Sequence, residues 1–425
     1  GGKFNLDGAD LLRAILMTRA AKEKYHGTSA TSEVREFRIR MGMELDLMNL
    51  WFGKTADYFK QFISDQTIGM ARINRFDFTT LPINLLYLLY YEYRRNEKES
   101  LNFSFFEYGK NSNDNPDDDR WEMYLELQEM YAILQRWYND KELYHYLGFL
   151  FFNFKAQTPF RDIYTQWKAL NSRDKFLKDI QHTIATRMLD RYLEETEKAA
   201  PDYQKCLKTM TEAISDFREN WYNNDKELYQ ILILLDIFRI LDSKSIKKLP
   251  TDYFTRKSGQ KDGEDKEHIL SQTPRKDNGE ITTIKTDWEK FVQSEDFKDI
   301  RSQMQDILNH SDAELTEQEL IQLQNLLNSA GLNSIGNMAL LDLRINRSYG
   351  NADYTHKRTI IFQEYMNQKY VRPHTLAVFM KGDIDAREAT GIPLNRWTLE
   401  DIKRNTDKIA KEIGKNFNAW LTQNN

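Results

Sequence analysis

The sequence predicts a mainly α protein, a large helical body followed by a smaller α+β domain. Three observations lead there. Up to about residue 242 the apolar residues recur at helical spacing. From Ser243 to Asp265 the chain is rich in Lys, Gly, Asp and Ser and poor in apolar residues, which reads as a linker or long loop. Beyond it, short runs with strand character, Ile281 to Ile284 and Met338 to Leu343, alternate with helical segments. The expected division is a helical domain over 1–250 and a second domain over 251–425, the latter with a helical insert at 287–328.

Each element has its own signal. Asp7 is placed to cap a helix with Leu11, Leu12, Ile15 and Leu16 on one face. Gly27 to Ser32 breaks that pattern. Val34 to Phe52 reads as a second helix, with Phe37, Ile39, Met43, Leu45, Leu47, Met48 and Leu50 as its apolar positions and Gly53 as its end. Thr55 to Ser64 resumes the helical pattern. Leu81 to Arg95 is apolar nearly all round and belongs at the centre of a bundle. Asn111 to Asp119 is an acidic loop whose spacing does not fit an EF-hand. Trp137-Tyr138-Asn139-Asp140-Lys141-Glu142-Leu143-Tyr144 is echoed from Trp221 to Tyr229, each copy leading into an apolar helix. Two core helices capped alike explain the echo more simply than a duplicated recognition element. Thr158-Pro159 starts another helix, and Ser172 to Glu195 and Tyr203 to Trp221 are long amphipathic patterns. Pro373 to Met380 is a short apolar segment, and Trp397 to Leu421 a closing helix capped by Thr398.

Bulk composition narrows the function classes. With 425 residues, 40% hydrophobic and 13% aromatic, the chain can fill two or three cores. A net charge of −5 excludes a chain-wide basic nucleic-acid binder, so any such contact must come from a local patch. The single cysteine, Cys206, excludes an intrachain disulfide and a cysteine-based zinc site, and fits a reducing cytoplasm. No run of 18 apolar residues exists, so no membrane partner is expected. The opening Gly-Gly-Lys-Phe, without Met, reads as a piece of a longer chain or a tag scar.

One constellation carries chemistry. Glu267-His268-Ile269-Leu270 puts a histidine just after an extended segment. Far downstream, Met338 to Leu343 feeds a helix, Arg347 to Gln368, that bears polar residues on one face. A histidine, a strand and an asparagine-bearing helix form the layout of an HNH, or His-Me finger (ββα), nuclease. Phosphodiester hydrolysis needs a general base that works near neutral pH, which histidine supplies. It also needs a cation on the crowded phosphate, for which a divalent metal, Mg²⁺ or Mn²⁺, with oxygen ligands suffices. His268 is the candidate base and Asn346 the candidate metal-side residue opposite it. Asn337 is placed to hydrogen-bond the backbone near His268. Lys357 and Arg358 are candidate contacts to flanking phosphates, and Glu267 is an alternative metal ligand. Arg344, Arg347, Lys357, Arg358, Lys369 and Arg372 against Asp353 and Glu364 form a basic stretch, either a DNA face or a solvated one. His356 reads first as a surface residue, His145 as structural, and His374 has no assigned partner.

These residues resemble a known family. Glu267-His268-Ile269-Leu270-Ser271-Gln272 resembles the Glu-His-Ile-x-Pro-Gln motif of GmrSD-type restriction endonucleases. Ile335-Gly336-Asn337-Met338-Ala339-Leu340-Leu341 resembles their Leu-Gly-Asn-Leu-x-Leu-Leu. Asn346, Asn351, Tyr354 and Lys357 match the family's Asn-x4-Asn-x2-aromatic-x2-Lys, and Arg396-Trp397-Thr398 its closing helix. More loosely, Lys3 to Arg13 resembles the end of the family's ParB-like nucleotide-binding domain, and Met43-Glu44-Leu45-Asp46 the Glu-Trp-Asp helix after it. The resemblance implies a cytoplasmic, metal-dependent DNA endonuclease of bacterial restriction and anti-phage defence. In it His268 is the base, Asn337 and Asn346 support it or the metal, and Asn351 and Lys357 contact substrate. It also explains the long gap between His268 and Asn337 as a helical insert. Ser271 stands where the family has proline, which loosens the turn behind His268. The Asp-Gly-Gln-Gln-Arg motif of the nucleotide-binding domain is absent, so any nucleotide is expected to act through a part outside this chain. The expected protein partner is a second copy or another defence subunit. The rival reading is an inactive scaffold that docks a partner subunit or nucleic acid, and RNA is the rival substrate.

Overall fold

The computed structural model describes residues 7–24, 32–95, 100–102, 105–106, 119–244, 247–256, 263–271, 273–274, 280–294, 297–343, 354–381 and 396–422. Among the described residues the fold is mainly α with one small sheet, and the chain divides into two compact units, Gly1–Ile180 and Gln181–Asn425.

The first unit is helical. Asp7 caps the helix Gly8–Ile15, its carboxylate accepting from the Ala9 N–H at 2.9 Å. The helix Asn84–Arg94 is buried along Leu85 to Tyr91, as its all-round apolar sequence demands. Aromatic rings fill the core. Phe62 stacks on Phe151 with centroids 3.8 Å apart, Trp137 on Phe176 at 5.5 Å, and the Tyr58 hydroxyl donates to the Tyr144 carbonyl at 2.8 Å. Asp140 caps the helix Lys141–Phe154 by accepting from Glu142 and Leu143 N–H, both at 3.0 Å. In the echoed copy the cap position is Asn224, whose side chain makes no cap bond; Asp225 turns instead to Lys266.

Two details of the second helix differ from the sequence reading. It runs unbroken from Ser32 to Phe59, through Gly53. A mid-helix glycine costs about 1 kcal/mol, and the buried spine Phe52, Thr55, Tyr58 and Phe59 outweighs it. Its apolar residues also split. Phe37, Leu45 and Met48 are buried, whereas Ile39, Met43, Leu47 and Leu50 are 55–63% exposed. The helix is apolar on two faces, so periodicity alone did not select the buried one.

In the second unit the helix Tyr203–Ser215 lies along Leu399–Thr422. It ends at Ser215, earlier than its pattern suggests, where the Asp216 carboxylate accepts from the Arg218 N–H at 2.9 Å and turns the chain. The helix Asp225–Asp242 is buried on almost every side and packs on the helix Pro373–Met380. The sheet has two antiparallel strands, β1 (Glu264–His268) and β2 (Met338–Asp342), in the register Glu264↔Asp342 to His268↔Met338. Between them lie the insert helices Lys285–Val292, Arg301–Asn309 and Glu317–Ser329. The expected strand Ile281 to Ile284 is not a strand but isolated bridges at Ile281 and Ile284, the latter pairing with Glu314. Its polar groups serve the next helix instead: the Thr282 carbonyl accepts from Trp288 Nε1 at 2.9 Å, and the Thr282 hydroxyl donates to Asp287 at 2.9 Å. Thr398 opens the helix Leu399–Thr422, exchanging hydrogen bonds with Asp401 at 2.9 and 3.2 Å. Among the described residues no helix is long and apolar enough to cross a membrane.

Candidate active site

Alternation along β1 puts Glu264, Lys266 and His268 on one face and Asp265 and Glu267 on the other. Each end of the strand is fixed by side chains from elsewhere in the second unit. At its start, Glu264 receives two hydrogen bonds from Arg372, at 2.7 and 2.8 Å. Arg372 also donates to Asp236 at 2.8 Å, and Asp236 accepts from the His374 N–H at 2.7 Å. All three ionic side chains are at most 2% exposed. Burial opposes the Arg372 charge, yet the carboxylates around it push its pKa up. This triad pins β1 to Asp225–Asp242 and to the segment before Pro373.

At its end lies His268, 7% exposed. Its Nε2 is 2.8 Å from Asn333 Oδ1. Its ring stacks on Tyr222, centroids 4.6 Å apart and planes 18° apart. Lys266, two residues earlier on the same face, sets its ammonium 4.1 Å from the Tyr222 ring and pairs with the Tyr222 carbonyl and Asp225. Asn333 Nδ2 donates to Asn328 Oδ1 at 2.6 Å, and the Asn333 carbonyl accepts from the Trp221 N–H at 2.9 Å.

Asn337 is fully buried, and its amide bridges backbone on both sides. Oδ1 accepts from the Leu270 N–H at 2.8 Å, while Nδ2 donates to the carbonyls of Leu270 at 3.1 Å and Leu332 at 2.8 Å. The turn leaving His268 is thereby locked to the start of β2. Gly336 beside it has no room for a side chain, since a Cβ there would lie 2.3 Å from the Ile402 carbonyl and 2.3 Å from Thr406 Oγ1. The Gly-Asn pair thus reflects two packing demands: close approach to Leu399–Thr422, and backbone satisfaction.

The helix Tyr354–Met366 buries Tyr354, Lys357 and Ile361 as one spine. Lys357 Nζ, 0% exposed, donates to Glu267 Oε1 at 2.6 Å and to the His268 carbonyl at 2.7 Å. Its ammonium therefore holds the end of β1 instead of facing solvent, as the phosphate-contact expectation required. Tyr354 stacks between Phe379 and Trp397, burial pushes its hydroxyl pKa up, and the hydroxyl donates to the Phe379 carbonyl at 3.1 Å. Arg358 is half-buried, with Nε on the Phe379 carbonyl at 2.9 Å and its guanidinium over Phe362. It borders a groove of about 560 Å³ lined also by Thr359, Gln363 and Asn367.

The structure thus gathers His268, Asn337, Lys357 and Glu267 around the end of β1 and sets Arg358 on the flank. Asn346 and Asn351 lie outside the described residues, as do Arg344, Arg347 and Asp353. The basic stretch does not form one face, because Lys357 and Arg372 are internal and Lys369 pairs with Glu364. Sequence reading missed Asn333, Tyr222, Asp236 and Glu264. Tyr222 had one signal, its place in the echoed motif.

The donor set does not by itself fit a divalent metal. Among the described residues no three His, Cys, Asp or Glu side chains come together, and the Glu267 carboxylate already carries the Lys357 cation.

Searches of curated proteins and of solved structures each gave no match. Residues 211–412 match the model of one family, described as GmrSD restriction endonucleases, C-terminal domain, and that span includes Tyr222, His268, Asn333, Asn337 and Lys357. That match, over just under half of the chain, supports membership of the GmrSD-type restriction endonuclease family.

Proposed function

We propose that this domain is an HNH-type endonuclease that hydrolyses phosphodiester bonds in DNA, with His268 as the general base. The observation that supports it is the arrangement around His268. The histidine ends β1, β2 pairs against it, and Asn337 from the β2 side fixes the turn behind it. A helix from further along the chain reaches back through Lys357 to the His268 carbonyl. Two strands and a helix converging on one histidine support the reading as a ββα nuclease core. In this reading His268 takes a proton from water, and Asn337 and Lys357 hold its backbone in place. Arg358 is the described residue best placed to meet a flanking phosphate.

A divalent cation, Mg²⁺ or Mn²⁺, would supply positive charge to the phosphate and the leaving oxygen. Asn346 is its candidate ligand; Glu267 fits that role poorly because Lys357 shares its oxygen. The alternative, a docking module without activity, draws on the 7% exposure of His268. The Asn333 amide at 2.8 Å satisfies the buried imidazole in either role, so cleavage itself decides between the two readings.

Incubating the chain with supercoiled plasmid, with modified DNA and with RNA, in Mg²⁺, Mn²⁺ or EDTA, tests this function. Cutting of DNA with metal and none in EDTA is expected. Cutting of RNA alone would move the assignment to a ribonuclease. No cutting of any substrate would favour the docking module.

A further inference from the structure

We propose that the outer face of the helix Ser32–Phe59 is a self-association surface, on which a second copy of this chain lays the same helix antiparallel across a two-fold axis. The proposal concerns the first unit alone and does not depend on the nuclease reading.

Ile39, Met43, Leu47 and Leu50 are each more than half exposed. Their spacing of four, four and three residues sets them in one stripe along the helix. The stripe lies opposite the buried spine of Phe37, Met41, Leu45, Met48 and Phe52, so it points away from the core of its own unit. It holds on the order of 400 Å² of apolar surface, the size at which exposed patches mark interaction sites. Helix propensity does not account for it, because Lys, Glu or Gln serves as well at an exposed position.

Charge names the occupant and its direction. Glu36 and Lys54, both exposed, bound the stripe at its two ends. About five helical turns, or about 27 Å, separate them, so they lie on the same side of the helix. In an antiparallel pair centred on Leu45, Met43 of one copy meets Leu47 of the other, and Ile39 comes against Leu50. Glu36 then meets Lys54 at both ends. A parallel pair would instead set Glu36 on Glu36 and Lys54 on Lys54, which like-charge repulsion opposes. Asp46 falls nearest the two-fold axis, and Arg13 of its own chain already neutralises it. Asp57 comes towards Glu33 of the second copy, and it is already paired with Lys60 at 2.5 Å. The face is therefore complementary to itself, as an isologous interface requires. With the flanking side chains, the pair covers roughly 1,000 Å² in total, the low end for a specific interface. A dissociation constant on the order of 10 μM is expected.

Sedimentation velocity of the whole chain, from about 1 to about 200 μM, reads the association directly. The wild type is expected to pass from monomer to dimer over that range. Leu47→Glu and Met43→Gln change exposed positions and leave the core intact, which circular dichroism would confirm. They should weaken pairing about 100-fold and about tenfold. Glu36→Lys or Lys54→Glu alone should weaken it about tenfold, and the two together should restore it, because the charges then match again. Cross-linking reads the direction. Cys206 is buried, so on oxidation Glu36→Cys/Lys54→Cys should give a covalent dimer and Glu36→Cys alone should give none. A wild type that stays monomeric throughout overturns the proposal and leaves the stripe to a different partner. A dimer that Leu47→Glu and Met43→Gln leave intact overturns it by placing the contact elsewhere. A covalent dimer from Glu36→Cys alone overturns the antiparallel arrangement.

Discussion

Replacing Lys357 with methionine separates two roles for this residue. Its ammonium sits 2.6 Å from Glu267 Oε1 and 2.7 Å from the His268 carbonyl, at 0% exposure. Methionine keeps the volume and removes both contacts. The His268 carbonyl loses a donor, which costs about 1–3 kcal/mol for a buried group. Removing one partner of a buried ion pair costs about 3–5 kcal/mol, but the Glu267 side chain is 18% exposed and regains some hydration. A total of about 3 kcal/mol is expected, or a melting point lower by roughly 6–12 °C for a unit of this size. Adding Glu267→Gln removes the stranded charge and should restore about 1–2 kcal/mol. The activity of Lys357→Met should fall as well, since the end of β1 carries the proposed base. The DNA-binding arm is the discriminating one. A lysine on a phosphate contributes close to one unit to the slope of log affinity against log salt, whereas an internal strut contributes nothing. The assay is thermal unfolding together with a salt titration of DNA binding. An unchanged melting point with a slope smaller by about one would refute the strut.

Three further outcomes follow from the geometry. Asn337→Ala strands the Leu270 N–H and the carbonyls of Leu270 and Leu332, and should destabilise by about 3–6 kcal/mol in urea unfolding; a change below about 1 kcal/mol would show that water replaces the amide. Gly53→Ala lies mid-helix with only Pro82 Cγ near its Cβ, at 3.7 Å, and should stabilise by about 1 kcal/mol; a lower melting point contradicts the continuous helix. Burial pushes the Asp140 carboxyl up, but Arg173 and the N–H groups of Leu143 and Glu142 outweigh it and leave its pKa lowered. With the folded pKa below the unfolded one, this stabilisation is present above about pH 4 and fades as the pH falls through the folded value. Asp140→Asn should flatten that acid limb in unfolding followed from pH 6 to pH 2, and an unchanged limb would assign it to other carboxylates.

What was legible in the sequence was local. The caps at Asp7, Asp140 and Thr398 and the strand at Met338 each rest on residues a few positions apart. So does the His268 motif. What was not legible joins distant parts of the chain. Asn333 meets His268 across 65 residues, and Arg372 meets Asp236 across 136. No spacing rule links an asparagine in a loop to a histidine on a strand so far away. Lys357 is a different case. Its place was read from helix position, but a lysine among Tyr354 and Ile361 lies on the buried spine, and burial demands an internal anion. Glu267, taken as a metal ligand, is that anion. The Gly53 and Ile39–Leu50 readings failed because tertiary burial, not propensity, decides which apolar face of a long helix turns inward.

The most direct test of His268 as the base is a comparison of nicking rates of supercoiled plasmid by the intact chain and by His268→Ala, in Mg²⁺ or Mn²⁺. Circular dichroism would confirm that both are folded. Cleavage by the wild type that falls by at least about 100-fold in the variant is the predicted result. A folded His268→Ala chain that nicks at the wild-type rate would contradict it and move the base elsewhere in the domain.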